Sequence, residues 1–180
     1  ATYIHMDGML NNISNTVKVL SNPYSNALSR IEERLPTNRE RYALSAKTIH
    51  AFTEESALHV GYRYYNDSWG TTADTAEVSF VQSYFEDNGF LKFNYRYYKQ
   101  SDNDYYAHQF DTPSEFMTSD SDMEAFTGKR YGIHYSHTFP DFKLFGVSLE
   151  DIQIDSGIYY YKRSNDLKYF IAQAGIHIQI

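Results

Sequence analysis

The chain has 180 residues, a formal net charge of −7 and no cysteine, and its length suits one domain. The lack of cysteine excludes a disulfide framework and thiolate metal sites, and a negative charge without any basic block argues against nucleic-acid binding. Eighteen tyrosines and twelve phenylalanines accompany a negative mean hydropathy, so apolar side chains must alternate with polar ones.

Strict alternation of apolar and polar residues recurs along the chain and predicts about eight β-strands. In chain order these are residues 2–8, 41–52, 58–65, 75–80, 91–98, 130–137, a long run at 143–163, and 168–180. In the third strand Leu58 and Val60 point to one side, while His59 points to the other. One face of each strand is therefore aromatic and aliphatic, and the opposite face is polar or charged.

The connections between these strands alternate in length. Residues 53–55, 85–89 and 140–141 form short turns, whereas segments at about 21–40 and 101–124 are predicted to be long outer loops. Residues 66–71 and 164–167 are two exceptions, because they are short connections on the loop side. Outer-membrane β-barrels join their strands by tight turns at one end and longer loops at the other. The pattern therefore favours an all-β, antiparallel, up-and-down transmembrane barrel, with residues 1–180 forming a single barrel domain or the C-terminal portion of one.

Charged residues recur in the middle of the polar faces. Arg63 and Arg96 occupy equivalent places in adjacent hairpins with Glu77 on the strand between them, and Lys92 and Arg130 share the polar side. Opposite charges on neighbouring strands attract one another across a sheet. We predict a charge ladder in the lumen, which either braces a narrow barrel or selects an anionic solute.

Aromatic residues cluster near the strand ends, which is typical of the girdle of a membrane barrel, where amphipathic rings lie between hydrocarbon and water. The predicted girdle residues are Tyr62, Tyr64, Trp69, Tyr95, Tyr97 and Tyr160. For Trp69, packing against a turn or stacking on a sugar are alternatives.

Two residues of one strand suggest an enzyme. His134 and Ser136 are two positions apart and so lie on one face, as the base and the nucleophile of a lipid hydrolase would. The other interpretation is a pair of lumen-facing polar residues, because no orienting partner or oxyanion donor can be located. We therefore predict no catalytic residues.

The loop at 101–124 is rich in oxygen ligands that Ca²⁺ prefers. Its acidic residues are Asp102, Asp104, Asp111, Glu115, Asp120, Asp122 and, at its end, Glu124. The spacing differs from that of an EF-hand loop, and the seven histidines are scattered rather than paired at ligand spacing. We therefore predict no metal site and no cofactor.

Two segments carry a resemblance to a known family. These are Arg63 to Gly70, which reads RYYNDSWG, and Arg96 to Tyr106, which reads RYYKQSDNDYY. With Asn22-Pro23-Tyr24 and the strand from Ala57 to Tyr65, they resemble an uncharacterised bacterial family that is catalogued as a domain of unknown function and regarded as outer-membrane β-barrels. Family members are longer, which implies that further strands precede Ala1 and that these eight belong to a larger barrel.

The function expected from these observations is that of a structural, anchoring or transport component of the bacterial outer membrane. Helical membrane proteins are excluded, because no stretch approaches the roughly 20 consecutive apolar residues that a membrane helix requires. The expected partners are outer-membrane lipid and either other protein subunits or a small solute, with no nucleic acid. An outer-membrane lipid or protein hydrolase, and a soluble β-barrel or β-sandwich that binds a ligand, are the alternatives.

Overall fold

A computed structural model of the chain describes residues 1–22, 25–84, 86, 88–144 and 147–179. Parts of the expected 21–40 loop, of the Asn22-Pro23-Tyr24 segment and of the 85–89 turn lie outside these residues. The described residues form strands, turns and irregular segments, without any helix. The strands are β1 (Thr2–Asp7), β2 (Thr16–Asn22), β3 (Ser25–Glu32), β4 (Asn38–Ala51), β5 (Ser56–Asp67), β6 (Thr72–Tyr84), β7 (Gly89–Gln100), β8 (Phe126–Leu144), β9 (Val147–Arg163) and β10 (Lys168–Gln179).

Eight of the strands form one antiparallel sheet in the order β1-β4-β5-β6-β7-β8-β9-β10, and β2 pairs with β3 in a separate hairpin. The prediction of an all-β fold with eight principal strands is thus confirmed. A closed barrel requires its first and last strands to pair. Within the described residues the sheet instead has two edges, β1 and β10, so these strands alone do not close.

The turns follow from local chemistry. Asp67 N–H bonds to the carbonyl of Thr71 in a turn where Gly70 has φ of 82°, a left-handed conformation that glycine adopts at little cost. Between β9 and β10, Arg163 N–H donates to the carbonyl of Leu167 at 2.8 Å. Both connections are as short as the sequence pattern predicts.

The hairpin of β2 and β3 is a difference from the expected structure, because β3 lies inside the segment predicted to be a long loop. Val17 and Val19 of β2 are buried against Met117, and Phe110 N–H donates to the carbonyl of Lys18 at 2.9 Å. The hairpin therefore gains its apolar and hydrogen-bonding partners from residues about a hundred positions away.

The turn expected at Pro140-Asp141 is wrong, since β8 continues to Leu144 and Pro140 is paired with Asp151 of β9. Proline cannot donate a hydrogen bond to a neighbouring strand. The N–H of Thr138 donates to the carbonyl of Asn88, which immediately precedes β7. Residues 138 and 140 have the same orientation in the strand. The N–H that Pro140 lacks would therefore face the β7 side of β8, at a position before β7 begins.

The chain divides into two compact units. Unit 1 comprises Ala1–Ser45, Arg63–Asp74 and Lys99–Phe126, and unit 2 comprises Ala46–Tyr62, Thr75–Tyr98 and Thr127–Ile180. The buried hydrophobic side chains of the described residues all belong to unit 1. They are Val17, Val19, Leu35, Trp69, Ala73, Met117 and Phe126.

Candidate functional site

One face of unit 2, here called the apolar face, exposes aromatic and aliphatic side chains. These are Val60, Tyr62, Val78, Phe93, Tyr95, Tyr131, Ile133, Tyr135, Ile154, Ile158, Tyr160, Ile176 and Ile178. Near the middle of this face, Phe93, Tyr131 and Ile158 help to line a shallow groove of about 510 Å³. No described hydrophobic side chain of unit 2 is buried, so the alternation produces an apolar surface rather than a core.

The opposite face of unit 2, here called the polar face, carries a hydrogen-bonded group around Asn94. The amide nitrogen of Asn94 donates to Glu77 Oε1 at 3.0 Å and to Ser79 Oγ at 2.8 Å. Arg130 Nη2 donates to Glu77 Oε1 at 3.5 Å and to Asn94 Oδ1 at 3.4 Å, which are long distances for hydrogen bonds. Arg130 Nε is buried without a partner among the described residues, so the guanidinium is loosely held.

Two cavities adjoin this group and share Glu77 and Lys92 as lining residues. The first, of about 270 Å³, also contains Arg130. The second, of about 200 Å³, also contains Lys47. Neither lysine forms an ion pair with any residue that the structure describes. Three cationic side chains and one carboxylate therefore line this pair of cavities, in a chain whose overall charge is negative.

The residues of the predicted charge ladder are only partly brought together. Glu77, Lys92 and Arg130 line one cavity, and Glu77 pairs with Arg130 rather than with the two arginines of the adjacent hairpins. Arg63 is exposed in unit 1 and Arg96 lies in unit 2, and neither forms an ion pair with a described residue. The sequence pattern did not single out Asn94, although its position two residues from Lys92 places it on the same face.

Glycines on the polar face leave room for long neighbouring side chains. A Cβ atom added to Gly132 would lie 2.5 Å from Cδ1 of Tyr159, its register partner on β9. A Cβ on Gly61 would lie 3.6 Å from Cγ of Lys47. The ring of Tyr159 also faces the Arg130 guanidinium at 5.9 Å. The glycine at position 132 therefore allows an aromatic ring to cover the strand and support the arginine.

His134 and Ser136 belong to a polar cluster around the carboxylate of Asp155. Ser136 Oγ accepts a hydrogen bond from Gln153 Nε2 at 3.0 Å, and Ser136 is also hydrogen-bonded to Asp155. His134 Nε2 lies 3.7 Å from Asp155 Oδ1, and His177 Nε2 lies 3.6 Å from Asp155 Oδ2. The carboxylate is therefore the centre of this cluster, whereas an acyl-transfer triad places the histidine between the serine and the acid.

The most densely bonded polar group of unit 1 surrounds the buried carboxylate of Asp67. Its Oδ2 accepts hydrogen bonds from both Nε and Nη2 of Arg39 and, at 2.7 Å, from Tyr65 Oη. Its Oδ1 accepts the N–H of Trp69 and that of Thr71, each at 3.0 Å. The Arg39 guanidinium lies 4.4 Å above the Trp69 ring. Such complete satisfaction of a buried charge is typical of a structural element.

Trp69 differs in burial from the other residues of the predicted girdle. It is 2% exposed, and its Nε1 donates to the carbonyl of Asn38 at 2.8 Å. Its position beneath Arg39 leaves no free ring surface for lipid or for a sugar. Tyr62, Tyr64, Tyr95 and Tyr160 are exposed and Tyr97 is partly exposed.

The acidic loop of unit 1 uses several of its carboxylates to fix its own backbone. Asp102 accepts the N–H of Ala125 at 2.5 Å, and Asp120 accepts the N–H of Asp122 at 2.9 Å. Burial, together with the negative charges of Glu124, Asp102 and Asp120, raises the pKa of Tyr106 to about 12. Among the described ranges, no group of three or more His, Asp or Glu side chains is arranged to hold a metal ion.

The polar interior of unit 1 continues at Glu33, which is buried. Its Oε1 accepts the Thr118 hydroxyl at 2.5 Å, and its Oε2 accepts the N–H of Asn12 at 2.8 Å. Met117 and Arg34 exchange backbone hydrogen bonds of 2.7 and 3.1 Å. The loop before β8 is thereby attached to the segment that follows β3.

The described part of the chain contains no helix that is long and apolar enough to span a bilayer. No curated protein and no solved structure matches the chain. The model of one family, described as "Protein of unknown function (DUF3570)", matches residues 1–175. The chain therefore belongs to the DUF3570 family of proteins of unknown function.

Proposed function

We propose that unit 2 is part of the wall of a transmembrane β-barrel in a bacterial outer membrane. Its apolar face contacts the hydrocarbon of the bilayer and its polar face borders the barrel interior. The observation that carries this proposal is the inverted distribution of side chains: the apolar face is exposed, and no described hydrophobic side chain of unit 2 is buried. A sheet in water hides its apolar face against another layer, whereas a barrel in lipid presents it outwards.

Lipid is an energetically favourable solvent for the apolar face of unit 2. Exposed apolar surface costs about 25 cal/mol per Å² in water relative to an apolar environment. Contiguous apolar patches larger than a few hundred Å² usually mark an interface with a protein or a membrane. The patch here extends over β5 to β10, with Val60 on its first strand and Ile178 on its last. An acyl-chain environment removes this cost across all six strands at once.

The edges β1 and β10 imply that the proposed barrel contains additional strands, since open edges do not occur in the hydrocarbon region of a membrane. These strands belong either to a longer form of the chain or to partner subunits. β4 extends eight residues beyond its pairing with β1, which covers Asn38 to Ala43. The edge of β4 that β1 leaves uncovered and the outer edge of β10 are the positions at which we expect such strands to add.

The charge of the polar face supports a role in the passage or binding of an anionic solute. Lys47, Lys92 and Arg130 line the two adjoining cavities with Glu77 as their sole carboxylate. Guanidinium and ammonium groups favour carboxylate and phosphate ligands. A transport component is therefore preferred here to a purely structural or anchoring one.

Membrane fractionation of cells that express the full-length protein tests the location. We expect the protein in the outer-membrane fraction, released only by detergent. Protein that stays in solution without detergent would refute the barrel and favour a soluble β-domain.

Reversal potentials in planar bilayers under a KCl gradient test the solute charge. We expect an anion preference that decreases in Lys92→Gln and Arg130→Gln and persists in Lys18→Gln, an exposed lysine of unit 1. Cation preference in the unmodified protein would contradict the anionic solute but not the membrane location.

A further inference from the structure

Three lysines lie side by side at one end of unit 2, and are here called the lysine row. Lys129 of β8 is the register partner of Lys162 of β9, which is also the register partner of Lys168 of β10. Directly paired residues of an antiparallel sheet point to the same face, with Cβ atoms roughly 4.5–5.5 Å apart. All three side chains are exposed. The row therefore sets three positive charges next to one another on one surface.

This arrangement is unfavourable in isolation, because like charges at directly opposed positions destabilise a sheet. None of the three lysines forms an ion pair with a residue in the described ranges. No carboxylate of the described residues therefore compensates these charges by an ion pair. An anion outside the chain that spans neighbouring lysines would turn the repulsion into attraction.

The rows that follow on the same face indicate which anion this is. Next to the lysine row the register aligns Tyr131, Tyr160 and Phe170, and the row after that aligns Ile133, Ile158 and Ala172. Successive rows are two residues apart, which is roughly 7 Å along a strand. The order from the strand end inwards is cationic, aromatic and aliphatic. The same order of chemistry runs from the headgroup region of a bilayer into its hydrocarbon.

We propose that the lysine row binds the phosphate groups of anionic lipid headgroups at the boundary of the membrane. This inference rests on the proposed function, since it requires the apolar face to lie in lipid. Lysine binds phosphate as a compact point charge, and each basic residue near an anionic membrane surface contributes about 1 kcal/mol, or about five-fold in affinity. Continuity with the aromatic row favours a lipid phosphate over free phosphate, because only a lipid occupies both regions together.

Native mass spectrometry of the full chain in detergent, with phosphatidylglycerol or phosphatidylcholine added, tests the proposal. We expect retention of phosphatidylglycerol over phosphatidylcholine, with each of Lys129→Gln, Lys162→Gln and Lys168→Gln lowering the apparent affinity about five-fold. The triple variant should lose the preference. Its folding is not endangered, because the substitutions remove repulsion between neighbouring charges, and its thermal stability in neutral detergent should equal or exceed that of the unmodified protein.

A charge-matched control combines Lys18→Gln, Arg30→Gln and Lys99→Gln. Lys18 and Arg30 are register partners in the β2–β3 hairpin, so the control also removes an opposed pair of like charges. It should keep the preference for phosphatidylglycerol. Equal preference in the triple variant and the control would overturn the lysine row as a lipid site. Displacement of the lipid by millimolar inorganic phosphate would assign the site to free phosphate and overturn it as well. A protein that fractionates with the outer membrane but fails this test would refute the lysine row alone.

Discussion

Replacing Asp67 with alanine removes the acceptor of five hydrogen bonds in unit 1. Two come from Arg39, one from the Tyr65 hydroxyl, and one each from the backbone N–H groups of Trp69 and Thr71. The substitution leaves the guanidinium of Arg39, which is 8% exposed, without its carboxylate. Breaking a buried ion pair from one side costs about 3–5 kcal/mol. We expect the free energy of unfolding to fall by this amount.

Trp69 makes this prediction directly measurable, because it is the chain's sole tryptophan and lies within the affected group. Urea titration in detergent micelles, followed by tryptophan fluorescence, gives the free energy of unfolding of Asp67→Ala. Asp67→Asn keeps an oxygen for the two backbone N–H groups and should lose less, about 1.5–3 kcal/mol. The double variant Arg39→Met with Asp67→Asn should lose less than Asp67→Ala, because no uncompensated charge remains and the amide oxygen still accepts the two backbone N–H groups. A loss below about 1 kcal/mol in Asp67→Ala would refute the assignment of Asp67 as the centre of this group.

Three further predictions concern other parts of the chain. Gly132→Val should lower stability by about 1–3 kcal/mol because its side chain displaces the Tyr159 ring, whereas Gly175→Ala, with its nearest atom at 3.9 Å, should change it little; equal effects in thermal unfolding would count against ring packing. The phenol of Tyr106, whose pKa is about 12, remains protonated in the folded state at pH values where the unfolded state ionises. The free energy of unfolding should therefore decrease as pH rises from 10 to 12. Absorbance at 295 nm, compared with that of Tyr106→Phe, should show that this phenol ionises near pH 12 rather than 10. Ser136→Ala should leave any phospholipid hydrolysis by the purified protein unchanged, and a loss of activity would revive the hydrolase interpretation.

The main sheet was predictable because its strands carry one strong signal, a period of two over many residues. The β2–β3 hairpin was not, since its burial depends on Met117 and Phe110, which are distant in the sequence. Pro140 misled for a related reason. Proline usually ends a central strand, and its tolerance in β8 depends on where β7 begins, at Gly89.

The sequence predicts which face of the sheet the site residues occupy, but it does not predict which residues they contact. Alternation places Glu77 and Arg130 on the polar face, but their pairing depends on the register of three strands and on Asn94, which contacts both. Trp69 likewise occupies a strand end, as a girdle residue would. Its burial follows from Arg39, a residue 30 positions earlier in the sequence that the aromatic pattern does not mark.

The apolar face of unit 2 can be located directly by cysteine scanning of β8, because these 180 residues contain no cysteine. Spin labels at Tyr131→Cys, Ile133→Cys and Tyr135→Cys, compared with His134→Cys, would be measured in lipid vesicles for collision with oxygen and with a water-soluble nickel chelate. We predict that the first three labels collide with oxygen and are shielded from nickel, whereas the label at position 134 shows the weaker oxygen contact. Free access of nickel to all four labels would contradict the contact of this face with hydrocarbon.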